Sequence, residues 1–232
     1  MNVKNIVITG ATGGIGQTLC RALAQQGMGI AACGTHEQTL ALLRKELSTK
    51  GCNAFVSATD VTQDDQVQLF LKDAAAQFGP LDALVNLAGL SVPGKIWETE
   101  EAVYDKLMDV NVKGTYLMCR HFIPLAAENA RIINLGSMAG RRTNGNAPLY
   151  CVAKSALNTL SQGLALQSSA QGIHVTTLNP GGADTPFWGD RPVQRDKLLK
   201  PQDVVDVILF VLQCDSRIAI HSIDFESISM VK

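Results

Sequence analysis

The sequence predicts a single α/β domain: a doubly wound, mostly or wholly parallel sheet of seven strands with helices on both faces. Three observations lead there. Short apolar runs alternate with longer stretches of helical period along the whole chain, which calls for crossovers and a covered parallel sheet. A glycine-rich turn separates the first apolar run from the first helical stretch. Residues with chemical potential recur just beyond the ends of the apolar runs, where an open sheet of this kind forms its ligand crevice.

The first strand is expected over residues 6–9, followed by Gly10-Ala11-Thr12-Gly13-Gly14-Ile15-Gly16 and a helix opening at Gln17. Strand, tight turn and helix in that order is the half-unit that cradles a nucleotide phosphate. Gly10 permits a sharp exit from the strand at positive φ, Gly14 a close backbone approach to a pyrophosphate, and Gly16 close packing of helix on sheet. The spacing is Gly-x-x-x-Gly-x-Gly, and a plain glycine-rich turn is the alternative. Leu19, Ala22, Leu23 and Gln26 keep helical period up to Gly27, a terminator.

A second strand follows at 30–33, and Thr35-His36-Glu37-Gln38 reads as a capping box for a helix reaching Gly51. The third strand is 54–58, and the third helix starts at Thr62 and stops at Gly79-Pro80. A fourth strand spans 81–87. Thr99 then caps a long helical region running toward Glu128, bent near Pro124. Residues 131–135 form the fifth strand, 136–147 a loop, and Pro148 the first turn of a helix reaching Gly172. The sixth strand is 173–178, the last helix opens at Pro201, and a seventh strand is expected at 218–225.

Composition excludes several function classes. At 232 residues the chain is long enough for one well-buried domain. A net charge of −1 with mixed signs gives no footprint for nucleic acid or an anionic membrane, and Arg141-Arg142 reads as a solvated loop doublet. No apolar run reaches the ~18–20 residues needed to cross a bilayer. The six cysteines are scattered, without Cys-x-x-Cys or metal-ligand spacing, so reduced thiols, a cytoplasmic setting and no metal are expected.

Tyr150 and Lys154 stand one helical turn apart, on one face. A free tyrosine titrates near 10 and is a poor base at neutral pH, but a neighbouring ammonium would favour the phenolate and lower that value. Such a phenol can give a proton to a carbonyl oxygen or take one from an alcohol. By itself a Tyr-x-x-x-Lys pair is a weak signal, and a solvated helix face is its commoner meaning.

Taken with Thr9 through Gly16, Asp60-Val61, Asn86-Leu87-Ala88-Gly89, Asn111-Val112, Ser137 and Pro180-Gly181, the sequence resembles a classical short-chain dehydrogenase/reductase with a Rossmann-type fold. The resemblance runs from Val3 to about Glu226 and includes the thirteen-position spacing of Ser137 and Tyr150. It implies that Tyr150 is the general acid/base, that Lys154 lowers its pKa and binds the nicotinamide ribose, that Ser137 holds the substrate oxygen, and that Asn111 anchors a proton-relaying water. It further implies a cofactor site at Gly10, Thr12, Gly13, Gly14, Ile15 and Gly16. Asn86, Ala88 and Gly89 would border the cofactor. Asp60 and Val61 would meet the adenine, and Pro180, Gly181 and Thr185 the nicotinamide side. Asp60 as a turn residue and Asn111 as a helix kink are the structural alternatives.

Departures from the family pattern bear on the cofactor. Gly34 stands where an NAD-preferring member carries an aspartate, so NADP is expected over NAD, with Thr35 and His36 near the ribose. Thr35 as a helix cap and Glu37 as first-turn charge are the competing roles. The segment at about 186–200 is a short substrate lid in which Phe187 and Trp188 offer apolar contact and Asp190, Arg191, Arg195 and Lys197 read as solvated. With 90–97 and 138–149 it would frame an open pocket for a modest carbonyl compound. The resulting expectation is an NADP-dependent carbonyl reductase or alcohol dehydrogenase acting on a small-molecule carbonyl or secondary alcohol. Alternatives are an NAD(P)-sensing binding protein and an epimerase or dehydratase with retained cofactor. The resemblance also implies a homo-oligomer, tetramer or dimer, through helices at about 99–128 and 148–171.

Overall fold

The computed structural model describes residues 3–231. Seven strands form one parallel sheet: β1 (Asn5–Thr9), β2 (Gly29–Gly34), β3 (Ala54–Ala58), β4 (Leu81–Asn86), β5 (Ala126–Leu135), β6 (His174–Pro180) and β7 (Ser222–Phe225). Their order is β3-β2-β1-β4-β5-β6-β7, so the direction of winding reverses between β1 and β4. The expected fold class is the observed one.

The helices are α1 (Gly14–Gln25), α2 (Glu37–Thr49), α3 (Asp64–Phe78), α4 (Glu101–Met108), α5 (Gly114–Phe122), α6 (Pro148–Ser168) and α7 (Pro201–Gln213). Alternation along the strands feeds two cores. Ile6 and Ile8 of β1 point to the side of Leu19, Leu40 and Val204, whereas Val7 points to that of Val67, Leu71 and Leu117. Both faces of the sheet are therefore sealed from water, and β1, β2 and β4 read as nearly unbroken apolar runs.

Several boundaries differ from the sequence expectation. The long helix toward Glu128 ends at Phe122. Between α4 and α5 the chain makes a π-helical turn, Asp109–Lys113, and after α5 a single 3₁₀ turn at Ile123–Leu125 carries Pro124. Proline has no N–H to continue the ladder, and from Ala126 the backbone is claimed by Leu81 of β4 instead. Thr35 does not cap α2; the cap position is His36, with no side-chain hydrogen bond. Neither Thr62 nor Thr99 is the N-cap of the helix that follows it; those positions fall to Gln63 and Glu100. The seventh strand is short because β7 is an edge paired with Thr177–Pro180 alone. No helix among the described residues is long and apolar enough to cross a membrane.

Candidate active site

Carboxyl ends of β1, β2, β4, β5 and β6 open into one cleft of about 1590 Å³. Gly10 leaves β1 at φ +64°, the left-handed region that glycine occupies without cost. A side chain there would run into the backbone of Ala88 at 2.8 Å. Thr9 holds the facing loop, its hydroxyl accepting from the N–H groups of Leu87 at 3.1 Å and Ala88 at 3.2 Å. A Cβ on Gly16 would come within 2.3 Å of the Gly10 carbonyl, so α1 can fold back on β1 only with glycine there. Gly13 precedes α1 without a side-chain cap, leaving first-turn N–H groups open to the cleft. These features fit an anionic phosphate.

Every residue expected to bind cofactor lines the cleft except Asn86. Gly10 and Thr12 through Gly16 form one wall; Thr35, His36, Asp60 and Val61 lie toward one end; Ala88, Gly89, Pro180, Gly181 and Thr185 complete the rim. Asn86 faces away, 3 % exposed, and donates to Asn134 at 2.9 Å. Asn134 donates in turn to Ser161 of α6 at 2.9 Å, so these buried amides tie β4 to β5 and β5 to α6. Asp60 has one carboxylate oxygen engaged by the Thr62 N–H and hydroxyl at 2.9 and 2.8 Å, the turn arrangement named as its alternative.

At the other end Ser137, Tyr150 and Lys154 come together. Ser137 accepts from the Ala139 N–H at 3.1 Å, which leaves its own proton free to donate. The Lys154 ammonium, buried to 3 % exposure, donates to the Leu135 carbonyl at 2.7 Å and sits 5.7 Å from the centre of the Tyr150 ring. Burial pushes the Tyr150 phenol up to about 12, although a hydrogen bond with Ser137 pulls it back in part, and burial pulls Lys154 down to about 8. The phenol is therefore raised where lowering by the ammonium was expected: desolvation dominates, and the groups that draw it down are Ser137 and Arg191. Asn111 lies beneath this cluster in the π turn, fully buried. Its amide donates to Leu90 at 2.8 Å and Leu107 at 2.9 Å, while its oxygen is without a partner. A Cβ on Gly89 would lie 2.9 Å from that oxygen and 3.4 Å from the lysine nitrogen, so the two groups share one small space.

Sequence reasoning missed the groups that brace this end. Asn179 accepts from the Ser137 N–H at 3.1 Å and donates to Asp224 at 2.9 Å and Ser222 at 3.1 Å. An asparagine before Pro180-Gly181 reads as turn chemistry, and only the pairing of β6 with β7 shows its partners. The doublet read as solvated is engaged instead: Arg141 pairs with Asp224 and Arg142 with Glu226. Arg191, also read as solvated, is half-buried over the rings of Phe187 and Trp188. Phe187 lies 5.9 Å from the Tyr150 ring, whereas Trp97 of the expected pocket is 80 % exposed and off the cleft. Among the described residues no group of three or more His, Cys, Asp or Glu is placed to hold a metal ion.

Residues 4–196 match the model of the short chain dehydrogenase family. An uncharacterized oxidoreductase of Staphylococcus saprophyticus is 32% identical over 223 residues, covering 95% of each chain. A dehydrogenase/reductase from Sinorhizobium meliloti superposes with a TM-score of 0.86 at 25% identity, covering 97% of this chain and 94% of the other. An alcohol dehydrogenase from the archaeon Thermococcus sibiricus, complexed with 5-hydroxy-NADP, superposes with a TM-score of 0.90 at 24% identity over 99% and 98%. The glycine turn, the cleft at the strand tips and these matches agree: the chain belongs to the short-chain dehydrogenase/reductase family.

Proposed function

We propose that the protein transfers hydride between NADP(H) and a carbonyl or secondary alcohol carbon, as a carbonyl reductase or alcohol dehydrogenase. The observation that carries this reading is the meeting of Ser137, Tyr150 and Lys154 at one end of a cleft whose other end is a glycine-lined anion cradle. The nicotinamide cofactor supplies the hydride donor or acceptor when bound.

This chain's residues supply the rest. First-turn N–H groups of α1 and the open backbone from Gly10 to Gly16 would hold the pyrophosphate. Gly34 presents no carboxylate to repel a 2′-phosphate, and the uncapped N-terminus of α2 beside His36 favours negative charge, which supports NADP over NAD. Ser137 donates to the substrate oxygen as negative charge develops there. Tyr150, protonated at neutral pH, delivers its proton to that oxygen in reduction and accepts one in oxidation. Lys154 places a positive charge beside the phenol as it becomes anionic. The unpaired Asn111 oxygen, sharing a space with the lysine nitrogen, suits a water that returns protons to Lys154.

Residues 186–200 act as the substrate lid in this reading. The exposed aromatics Tyr104 and Tyr116, with Val152 and Leu166, support assembly into a homo-oligomer through α4, α5 and α6. Six free cysteines support a reducing, cytoplasmic setting. NADPH oxidation in the presence of a ketone panel tests the proposal. Tyr150→Phe should cut turnover by at least about a thousandfold with NADPH affinity within a few-fold; undiminished turnover removes the tyrosine from the mechanism.

A further inference from the structure

Segment 186–200 holds two arginines at the cleft end of the chain, and they are used differently. Arg195 is committed to the segment itself: it pairs with Asp184 at 2.7 Å and donates to the carbonyls of Thr185 at 3.2 Å and Gly189 at 3.1 Å. Arg191 lines the cleft and has no carboxylate partner among the described residues. Its guanidinium carbon lies 5.2 Å from the centre of the Phe187 ring and 5.0 Å from that of Trp188. Phe187 is itself 5.9 Å from Tyr150. One face of the cation is thus fixed on aromatic rings, which orients a planar fork at low cost in side-chain entropy.

Arg191 donates to the Trp188 carbonyl at 2.8 Å and to that of Phe187. A guanidinium has five N–H donors, so most of its capacity remains open. Asp184 is taken by Arg195 and Glu226 by Arg142, and Asp190, the preceding residue, forms no ion pair with Arg191. An unpaired, half-buried cation is costly unless an anion completes it. Its field also reaches the phenol, whose pKa it draws downward against the effect of burial.

We propose that the substrate is an oxo-carboxylate, its carbonyl held at Ser137 and Tyr150 and its carboxylate bound by Arg191. This rests on the oxidoreductase reading above and narrows it from any modest carbonyl compound to an anionic one. Hydride goes to the carbonyl carbon and the Tyr150 proton to its oxygen, giving a hydroxy acid; the carboxylate is unchanged throughout. The bound carboxylate pairs with the Arg191 guanidinium and sets which end of the substrate faces the phenol. Arg191 is a specificity-determining residue here.

The experiment compares NADPH-dependent reduction of a series of three- to six-carbon oxo acids with the methyl ester of each. The expected result is a preference of about ten- to a hundredfold in kcat/KM for the acid of the preferred chain length, the range for a hydrogen-bonded charge pair. It should be carried mainly by KM and diminish as ionic strength rises. In Arg191→Gln the acid-to-ester ratio should fall about tenfold or more, and Arg191→Lys should restore part of it, since an ammonium keeps the charge but loses the fork. Wild-type reduction of esters and neutral ketones with no preference for any acid overturns the carboxylate assignment and leaves the reductase intact. An unchanged ratio in Arg191→Gln overturns it as well. Failure to reduce any carbonyl compound overturns the oxidoreductase reading, and this one with it.

Discussion

The side-chain oxygen of Asn179 accepts the backbone N–H of Ser137 at 3.1 Å, so the serine is positioned by the neighbouring strand as well as by its own loop. Asn179 is fully buried, and its amide is spent on Asp224 and Ser222 of β7. In Asn179→Leu the part-buried Ser137 N–H loses its acceptor, a loss of about 1–3 kcal/mol, whereas the exposed Asp224 carboxylate keeps Arg141 as a partner. Turnover should fall about tenfold or more while NADPH affinity changes little. Asn179→Asp keeps the acceptor but faces Asp224 with like charge; adding Asp224→Asn should recover part of kcat. Equal loss of kcat in the single and double variants would remove Asn179 as a positioning residue.

Cofactor choice is expected to depend on Gly34 and Thr12 together. A Cβ on Gly34 would meet the Thr12 hydroxyl oxygen at 2.9 Å and its methyl at 3.0 Å. Gly34→Asp should therefore lower the NADPH-to-NADH preference by about tenfold or more at some cost in stability, and Gly34→Asp with Thr12→Gly should keep the altered preference with that cost relieved. Steady-state kinetics with each cofactor, alongside thermal melting, check both halves.

Burying the Lys154 ammonium costs the fold stability. Its ordinary value of 10.5 is lowered to about 8 by burial, so the folded chain holds its proton less tightly than the unfolded chain does. The cost is fully present below pH 8, shrinks between pH 8 and 10.5 as the folded lysine deprotonates first, and is absent above. At about 1.4 kcal/mol per unit, less the lost bond to Leu135, Lys154→Met should stabilise by about 1–2 kcal/mol at pH 7, a rise of a few degrees in Tm. The gap to wild type should close toward pH 10.5. A lower Tm in the variant at pH 7 contradicts this.

The phenol itself can be titrated. With no cofactor added, the ultraviolet difference between wild type and Tyr150→Phe should show a tyrosine ionising near 12, two units above an ordinary one. A midpoint below 9 would show that Lys154 outweighs desolvation after all.

Strand and helix identities were readable from local pattern: β1 with its glycine turn, the Gly27 stop and the Pro148 start of α6 depend on period, φ and a missing N–H, all of which belong to single residues. The family resemblance, too, was contained in residue order. Its boundaries were less so. Whether residues 126–130 continue a helix or join a sheet depends on Leu81, forty-five positions away, offering a pairing edge. Tertiary structure alone turned Asn86 inward onto Asn134, gave Ser137 its brace in Asn179, tied Arg141 and Arg142 to β7, and laid Arg191 on Phe187 and Trp188. It also reversed the direction of the Tyr150 shift. The physical reason is common to all five: a polar side chain's partner and its solvation are set by elements far away in sequence, whereas the geometry of a turn is set by the residues within it.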